Sequence, residues 1–314
     1  MEGVPFWPRD AAVSGHVVDT LYIVELALTF LILISVYGLM LVFCIRYWRG
    51  RKVDRTERVA KTWVWEIGWT SATLVAFLAL FVWGANAFIF LYRPPPADLE
   101  IFVVAKQWMW KTQHPGGQRE IDELHVPVGK SVRLVLASED VIHSFYIPAF
   151  RVKHDVVPGQ YETLWFKATE TGEFRLQCAE FCGTQHAHMG GRIVVMPVAA
   201  YARWLTDQGV HESLARQGEA LFRKYGCSGC HGANSAVHAP SLEGIYGSVV
   251  QLDGGGTTVA DERYIRDSIL LPRSQIVTGY APIMPSFAGQ IGEDDLVALV
   301  AYIQSLSRQP GASP

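Results

Sequence analysis

The chain has 314 residues, a formal net charge of −3, five cysteines and a 50% hydrophobic composition. That length suits two or three domains. The near-neutral balance excludes a strongly basic, nucleic-acid-binding protein. The hydrophobic residues are too clustered for a single soluble domain. Leu26 to Ile45 (LALTFLILISVYGLMLVFCI) carries no charge, and neither does Ile67 to Tyr92. Each run is long enough to cross a hydrocarbon core of roughly 30 Å as a helix of about 20 residues.

The connector between them, RYWRGRKVDRTERVAK (Arg46 to Lys61), holds seven basic and two acidic residues. Short basic loops stay on the cytoplasmic side, so both chain termini are expected outside. Trp48, Trp63, Trp65 and Trp69 gather near this loop, as interfacial aromatics do. The opening MEGVPFWPRD lacks a basic n-region, and the first apolar run exceeds a cleavable one, so it is read as a retained membrane helix.

RPPPAD (Arg93 to Asp98) breaks the pattern. Beyond it, alternating segments such as SVRLVLAS, YETLWFKA, GEFRLQC and GRIVVM are separated by HPGGQ, VPGQ and TG turns, which predicts a β-sandwich or small barrel up to Met196. A helical pattern follows. ESLARQGEALFRKYG places Leu214, Gly218, Leu221, Phe222 and Tyr225 on one face. EDDLVALVAYIQSL does the same with Leu296, Leu299, Val300, Ile303 and Leu306. The expected organisation is a membrane hairpin over residues 1–96, an all-β domain over 97–205 and a helical domain over 206–314.

Cys44 sits in the first apolar run and reads as a small core residue. The other four cysteines form two close pairs, each with histidine downstream. CSGCH, Cys227 to His231, matches the attachment signature of a c-type haem, in which two thiols add to the haem vinyls and the histidine becomes the proximal ligand. IVTGYAPIMPSF offers Met284 as the distal ligand. A histidine–methionine pair leaves no open position on the iron, which suits electron transfer.

The first pair lies in CAEFCGTQHAHM, Cys178 to Met189. A disulfide would leave His186 and Met189 unexplained, and structural zinc has little use for methionine. Thiolate, imidazole and thioether together suit copper. A mononuclear blue site needs one cysteine only, so the surplus thiolate points to two coppers bridged by Cys178 and Cys182. Each metal then needs a terminal histidine. His186 is one, and His143, at the end of the SVRLVLAS segment in ASEDVIHSFYIP, is the expected second. His188 is read as a solvated rim residue. His114, His125 and His154 are read as surface residues, and His16, His211 and His238 receive no role.

With these residues in view, the chain resembles subunit II of haem–copper cytochrome c oxidases, in the A-type, caa form that carries a fused cytochrome c, over nearly its whole length. The resemblance implies a two-helix transmembrane hairpin, a cupredoxin-like sandwich with a dinuclear copper A centre and a class I cytochrome c domain. It implies Cys178 and Cys182 as bridging ligands, His143 and His186 as terminal ligands, Met189 as a weak ligand and Glu180 as a backbone-carbonyl ligand. The Glu180 side chain would face a magnesium site shared with subunit I. AKQWMW resembles the family's aromatic segment beneath the copper, with Trp108 where electrons come in, although Met109 stands where tyrosine is usual. EIGWT resembles the start of the second membrane helix, which places Glu66 near the mouth of a proton-uptake channel. Ser71, Ala72 and Thr73 occupy a stretch where the family often has proline.

The implied partners are oxidase subunits I and III, membrane lipid and an external donor: cytochrome c, another carrier or a quinol-oxidising complex. The implied location is the bacterial plasma membrane, with both redox domains on the periplasmic side. The implied activity is electron delivery for oxygen reduction coupled to proton pumping, with no oxygen chemistry on this chain. A copper subunit of a nitric oxide reductase, a membrane-anchored copper-delivery protein and a membrane-anchored redox sensor share parts of the pattern.

Overall fold

The structure is a computed structural model that describes residues 7–53, 62–208, 213–232, 235 and 237–307. Residues 54–61 of the basic connector and His211 lie outside the described residues. The described chain divides into two compact units, one comprising the segment up to Ala12 together with everything from Pro95 onward, the other Val13–Pro94.

The second unit is a pair of helices, α1 (Val13–Arg46) and α2 (Trp63–Tyr92). Both are long and apolar enough to span a bilayer, with peak mean hydropathies of 2.6 and 2.3. Away from their ends, most of their exposed side chains are apolar, including Leu31, Ile34, Phe77 and Phe81. A helix without a polar face suits a lipid environment. Polar side chains within the spans turn back on their own helix, as where Thr29 and Ser35 donate to Glu25 O and Leu31 O at 2.8 and 2.7 Å.

The first unit begins with a β-sandwich. Its strands are β1 (Leu99–Lys106), β2 (Met109–Gln113), β3 (Arg119–Ile121), β4 (Glu123–Pro127), β5 (Ser131–Ser138), β6 (His143–Ile147), β7 (Val152–Val156), β8 (Glu162–Lys167), β9 (Gly172–Cys178) and β10 (Gly190–Met196). One sheet runs β3-β2-β1-β5-β8 and the other β4-β10-β9-β6-β7. The β1–β5 and β4–β10 pairs are parallel and the rest antiparallel. Ile101, Val103 and Ala105 of β1 meet Leu134, Leu136 and Phe145 in the core between the sheets, around the fully buried Trp110. The segment before α1 joins this domain. Ala11 N donates to Ala149 O at 3.0 Å and Thr169 N to Ala11 O at 2.9 Å, so the span expected for the membrane hairpin shares its opening residues with the sandwich.

The outer face of β1 and β5 is buried too. Phe102, Val104, Val135 and Ala137 belong to a second core built with the C-terminal helices. Strands apolar on both faces need a cover on each, and here the cover is the helical domain. It follows α3 (Val198–Asp207) and contains α4 (Leu214–Lys224), the short α5 (Ser228–His231), α6 (Glu262–Leu270) and α7 (Glu293–Ser305), with a small hairpin of β11 (Val249–Leu252) and β12 (Gly256–Val259).

Ser213 caps α4 by accepting from Arg216 N, and Asp261 caps α6 by accepting from Tyr264 N at 2.8 Å. Helices α4 and α7 cross at Gly218, where an added Cβ would lie 1.9 Å from the Ala298 carbonyl oxygen. No residue with a side chain fits that crossing.

Polar groups fasten the helical domain to the sandwich. Arg266 is only 4% exposed. It donates to Gly159 O at 2.7 Å and Glu293 Oε1 at 2.5 Å. Arg263 reaches Tyr161 O at 3.0 Å and Glu162 Oε1 at 2.9 Å, and Arg133 of β5 pairs with the buried Glu262. Each buried charge has an opposite partner.

Candidate functional site

The end of β9 and the loop before β10 bring the first cysteine pair to one edge of the sandwich. Cys178 and Cys182 are buried free thiols with their sulfurs 3.8 Å apart. Cys182 Sγ lies 3.5 Å from His186 Nδ1 and 3.6 Å from Met189 Sδ. Cys178 Sγ lies 3.2 Å from the Glu180 carbonyl oxygen. His143 opens β6 on the neighbouring strand, where Phe145 is in register with Cys178. Its imidazole and the two sulfurs offer ligand atoms all within 4.8 Å of one another. All six residues expected around copper therefore converge. The exposed His188 stays outside the cluster, as expected of a rim residue.

The His143 ring is oriented from behind. Its Nε2 is 2.8 Å from Asp140 Oδ1, while its Nδ1 is buried with no hydrogen-bond partner. A histidine that gives one N–H to a carboxylate presents the other nitrogen as a metal ligand. An orphaned buried nitrogen facing thiols is otherwise costly, so the donor set fits copper on this chain's own geometry. The thiols are unequal. Burial would raise the Cys178 thiol, but contact with His143 and neighbouring backbone groups brings it down to about 6. Burial and the adjacent Cys178 charge push Cys182 up to about 12. Two thiolates this close repel, and a cationic metal bound to both would remove the penalty.

Trp108 is half-buried beside this loop, with Nε1 donating to Cys182 O at 3.2 Å. Glu180 is exposed, and among the described residues no other metal-binding group includes its carboxylate. Glu66 lies exposed in the first turn of α2.

The second cysteine pair borders a cavity of about 350 Å³ in the helical domain. Cys227, Cys230, His231 and Met284 all line it, among apolar groups of α6 and α7 such as Ile265, Ile269, Leu299 and Ile303. Pro240 O lies 2.9 Å from His231 Nδ1. A carbonyl only accepts, so Nδ1 carries the proton and Nε2 keeps the lone pair an iron needs. An apolar cavity with thiols, a tautomer-fixed imidazole and a thioether fits a covalently held haem. Helix α6 faces two ways: Ile265 and Ile269 line this cavity, while Arg263 and Arg266 grip the sandwich.

The structure corrects the surface reading of His114 and His125. His114 is fully buried, 3.0 Å from the Tyr201 hydroxyl and 2.9 Å from Glu120 Oε1. His125 pairs with the other Glu120 oxygen and stacks on Trp204 at 4.5 Å. Burial would raise the Glu120 carboxyl, but the two histidines and the His125 amide hold it down at about 2. The partners arrive from β3, β4 and α3, so no local spacing announces the network. Gln107 and Asp140 belong to no ligand motif in the sequence. Their one local signal was an aspartate three residues before a ligand histidine.

A family model for the cytochrome c oxidase subunit II periplasmic domain matches residues 102–198, and one for cytochrome c matches residues 215–307. The two matches put a cytochrome c oxidase subunit II periplasmic domain and a cytochrome c domain on one chain. It is 28% identical over 294 residues to cytochrome c oxidase subunit 2 of Alkalihalophilus pseudofirmus, covering 88% of this chain and 83% of that one. It is 29% identical over 260 residues to the alternative cytochrome c oxidase subunit 2 of Bradyrhizobium diazoefficiens, covering 70% and 91%. The solved periplasmic domain of cytochrome oxidase subunit II from Bradyrhizobium japonicum is 37% identical, covering 37% of this chain and 96% of that one, with a TM-score of 0.36. The fused cytochrome c domain fits the caa type. As a subunit II the chain is a membrane-anchored part of an oxidoreductase, serves electron delivery and goes with an oxidase subunit I. Its two domains imply copper A and haem c.

Proposed function

We propose that this subunit II accepts electrons from an external donor at its helical domain and delivers them through the sandwich to subunit I, where oxygen is reduced to water and protons are pumped. When bound, a haem c and a dinuclear copper centre supply reversible one-electron chemistry. Cys227 and Cys230 would hold the haem covalently, and His231 and Met284 would supply ligands to its iron. Cys178, Cys182, His143 and His186 would hold the coppers, with Met189 and the Glu180 carbonyl as further ligands.

The observation that carries this reading is the convergence of six donors on one sandwich edge, with the His143 Nδ1 buried and otherwise unpartnered. The ligands sit on paired strands and a short loop, so the cage changes little between redox states, and preorganisation of that kind lowers the cost of each transfer.

The finer assignments follow from the same reading. The two apolar helices and the basic connector support a reading in which both termini and both redox domains lie on the periplasmic side of a bacterial plasma membrane. Trp108, bonded to the carbonyl of a bridging cysteine, is a second point where electrons come in. Glu66 lies at the cytoplasmic end and feeds protons toward subunit I. The exposed Glu180 carboxylate serves a magnesium ion whose remaining ligands come from subunit I. Subunit III completes the complex, and the donor is a cytochrome c or a quinol-oxidising complex. The domains divide near residues 96 and 205.

The test is a combined visible and electron paramagnetic resonance spectrum of the full-length chain with its metals. A mixed-valence signal shared over two copper nuclei, beside a low-spin c-type haem, is the expected result. A mononuclear copper signal, or none, with the haem intact would refute the dicopper centre.

A further inference from the structure

Two loops that never meet in sequence must hold their ligands in mutual register, one bearing His143 and the other Cys182. Beside the direct bond from Ala179 N to Ser144 O at 3.0 Å, one residue outside both touches each of them. Gln107, at the end of β1, donates its side-chain amide to Cys182 O at 2.7 Å and its backbone N–H to Asp140 Oδ2 at 2.7 Å. The other Asp140 oxygen accepts from Val141 N at 2.7 Å and lies 2.8 Å from His143 Nε2. A continuous chain of hydrogen bonds thus runs from the Cys182 backbone through Gln107 and Asp140 to the His143 ring.

Cys182 is the hub of the cluster, since its sulfur touches Cys178, His186 and Met189. Fixing its backbone fixes the sulfur that three other donors meet. Gly183 makes room for the strap. Its φ is +116°, and a Cβ there would lie 2.9 Å from Gln107 Nε2 and 3.3 Å from the Trp108 ring. A side chain at this position would push the Gln107 amide off the carbonyl, so the loop's left-handed glycine and the strap belong together.

We propose that Gln107 is a positioning residue that ties the Cys182 loop to the His143 loop and so sets how evenly the two metals are held. This rests on the copper reading above. Gln107 touches no metal itself and acts through groups that do. Groups of that kind, when lost, typically lower metal affinity about 10- to 100-fold. The bond to the Cys182 carbonyl needs a donor, so a side chain of equal size that only accepts fails as an apolar one does.

The test uses the full-length chain with its haem and copper, as parent, Gln107→Leu, Gln107→Glu, Asp140→Asn and the double variant Gln107→Leu/Asp140→Asn. The expected result for either Gln107 variant is a copper resonance with the electron shared unequally, and release of copper to a chelator faster by on the order of tenfold. The haem spectrum and the melting temperature of the copper-free chain stay those of the parent. The double variant should lose less than the sum of its two parents, because both cut one strap.

A parent-like copper resonance and release rate in both Gln107 variants would overturn the inference. So would strict additivity in the double variant, or an equal loss of copper-free stability, which would mark Gln107 as merely structural. A parent chain with no shared copper signal would overturn the dicopper reading, and this inference with it.

Discussion

Replacing Gly218 with alanine sets two effects of opposite sign against each other at the α4–α7 crossing. Alanine favours a helix interior over glycine by about 1 kcal/mol. Against that, the new methyl would lie 1.9 Å from the Ala298 carbonyl oxygen and 2.7 Å from Tyr302 Cβ. An ordinary heavy-atom contact is about 3.5 Å, so the helices must part by about 1.5 Å. The obstacle is backbone, which no rotamer change removes. Parting the helices loosens Phe222 and Leu214 against Leu296, Leu299 and Val300 in one shared core. Overpacking of this kind costs about 1–3 kcal/mol, and an immovable obstacle puts the cost at or above the upper end. The net loss is about 2 kcal/mol, which for a domain of this size lowers the melting temperature by roughly 10 °C. The assay is thermal unfolding of the haem-loaded chain followed at the haem absorbance. A variant that melts at or above the parent would show that helix propensity wins and that the crossing is looser than described.

Other perturbations separate the centres and the forces that hold them. Cys182→Ser should abolish the shared copper resonance and leave the haem spectrum intact, whereas Met284→Ala should disturb the haem and spare the copper. Equal loss of both signals in both variants would contradict two independently built sites. Arg266→Ala removes the buried partner of the largely covered Glu293 and should destabilise by about 3 kcal/mol, while Arg266→Met with Glu293→Leu should recover most of that loss. Denaturant titration distinguishes the two outcomes.

Glu120 supplies a pH signature. Its carboxyl lies at about 2 in the folded chain against an ordinary 4.5, a downward shift. The stability it contributes is therefore present above pH 4.5 and lost as pH falls toward 2. At 1.36 kcal/mol per unit this amounts to about 3 kcal/mol. Glu120→Gln should flatten the stability profile across that window, as read from urea midpoints at successive pH values.

The sites were largely legible because their chemistry is spelled locally. CSGCH and CAEFCGTQHAHM each place several donors within a dozen residues, and the soft donor mixture in the second selects copper over zinc. Even His143, distant in sequence, was expected beside the cysteine loop from the need for a second histidine, and its ring lies next to both sulfurs. The membrane helices were legible from length and hydropathy alone.

What escaped notice depends on contacts between distant segments. The alternation in SVRLVLAS suggested one buried face, but Val135 and Ala137 are buried on the other face too, by a domain whose helices begin some 80 residues later. His114 and His125 looked like loop and strand surface because the groups that bury them, Tyr201 and Trp204, come from α3. Gln107 was invisible because its importance lies in two hydrogen bonds to loops 33 and 75 residues away.

Helix α6 presents Ile269 to the haem cavity while its Arg266 holds the carbonyl of Gly159 in the sandwich. A domain on a slack tether meets its neighbour at an effective concentration set by the tether's length. Here one helix is at once the wall of the cavity and the clamp on the sandwich, so tether length drops out. Exchange between the two centres becomes first order, indifferent to dilution, and adding residues between α3 and α4 leaves its rate unchanged.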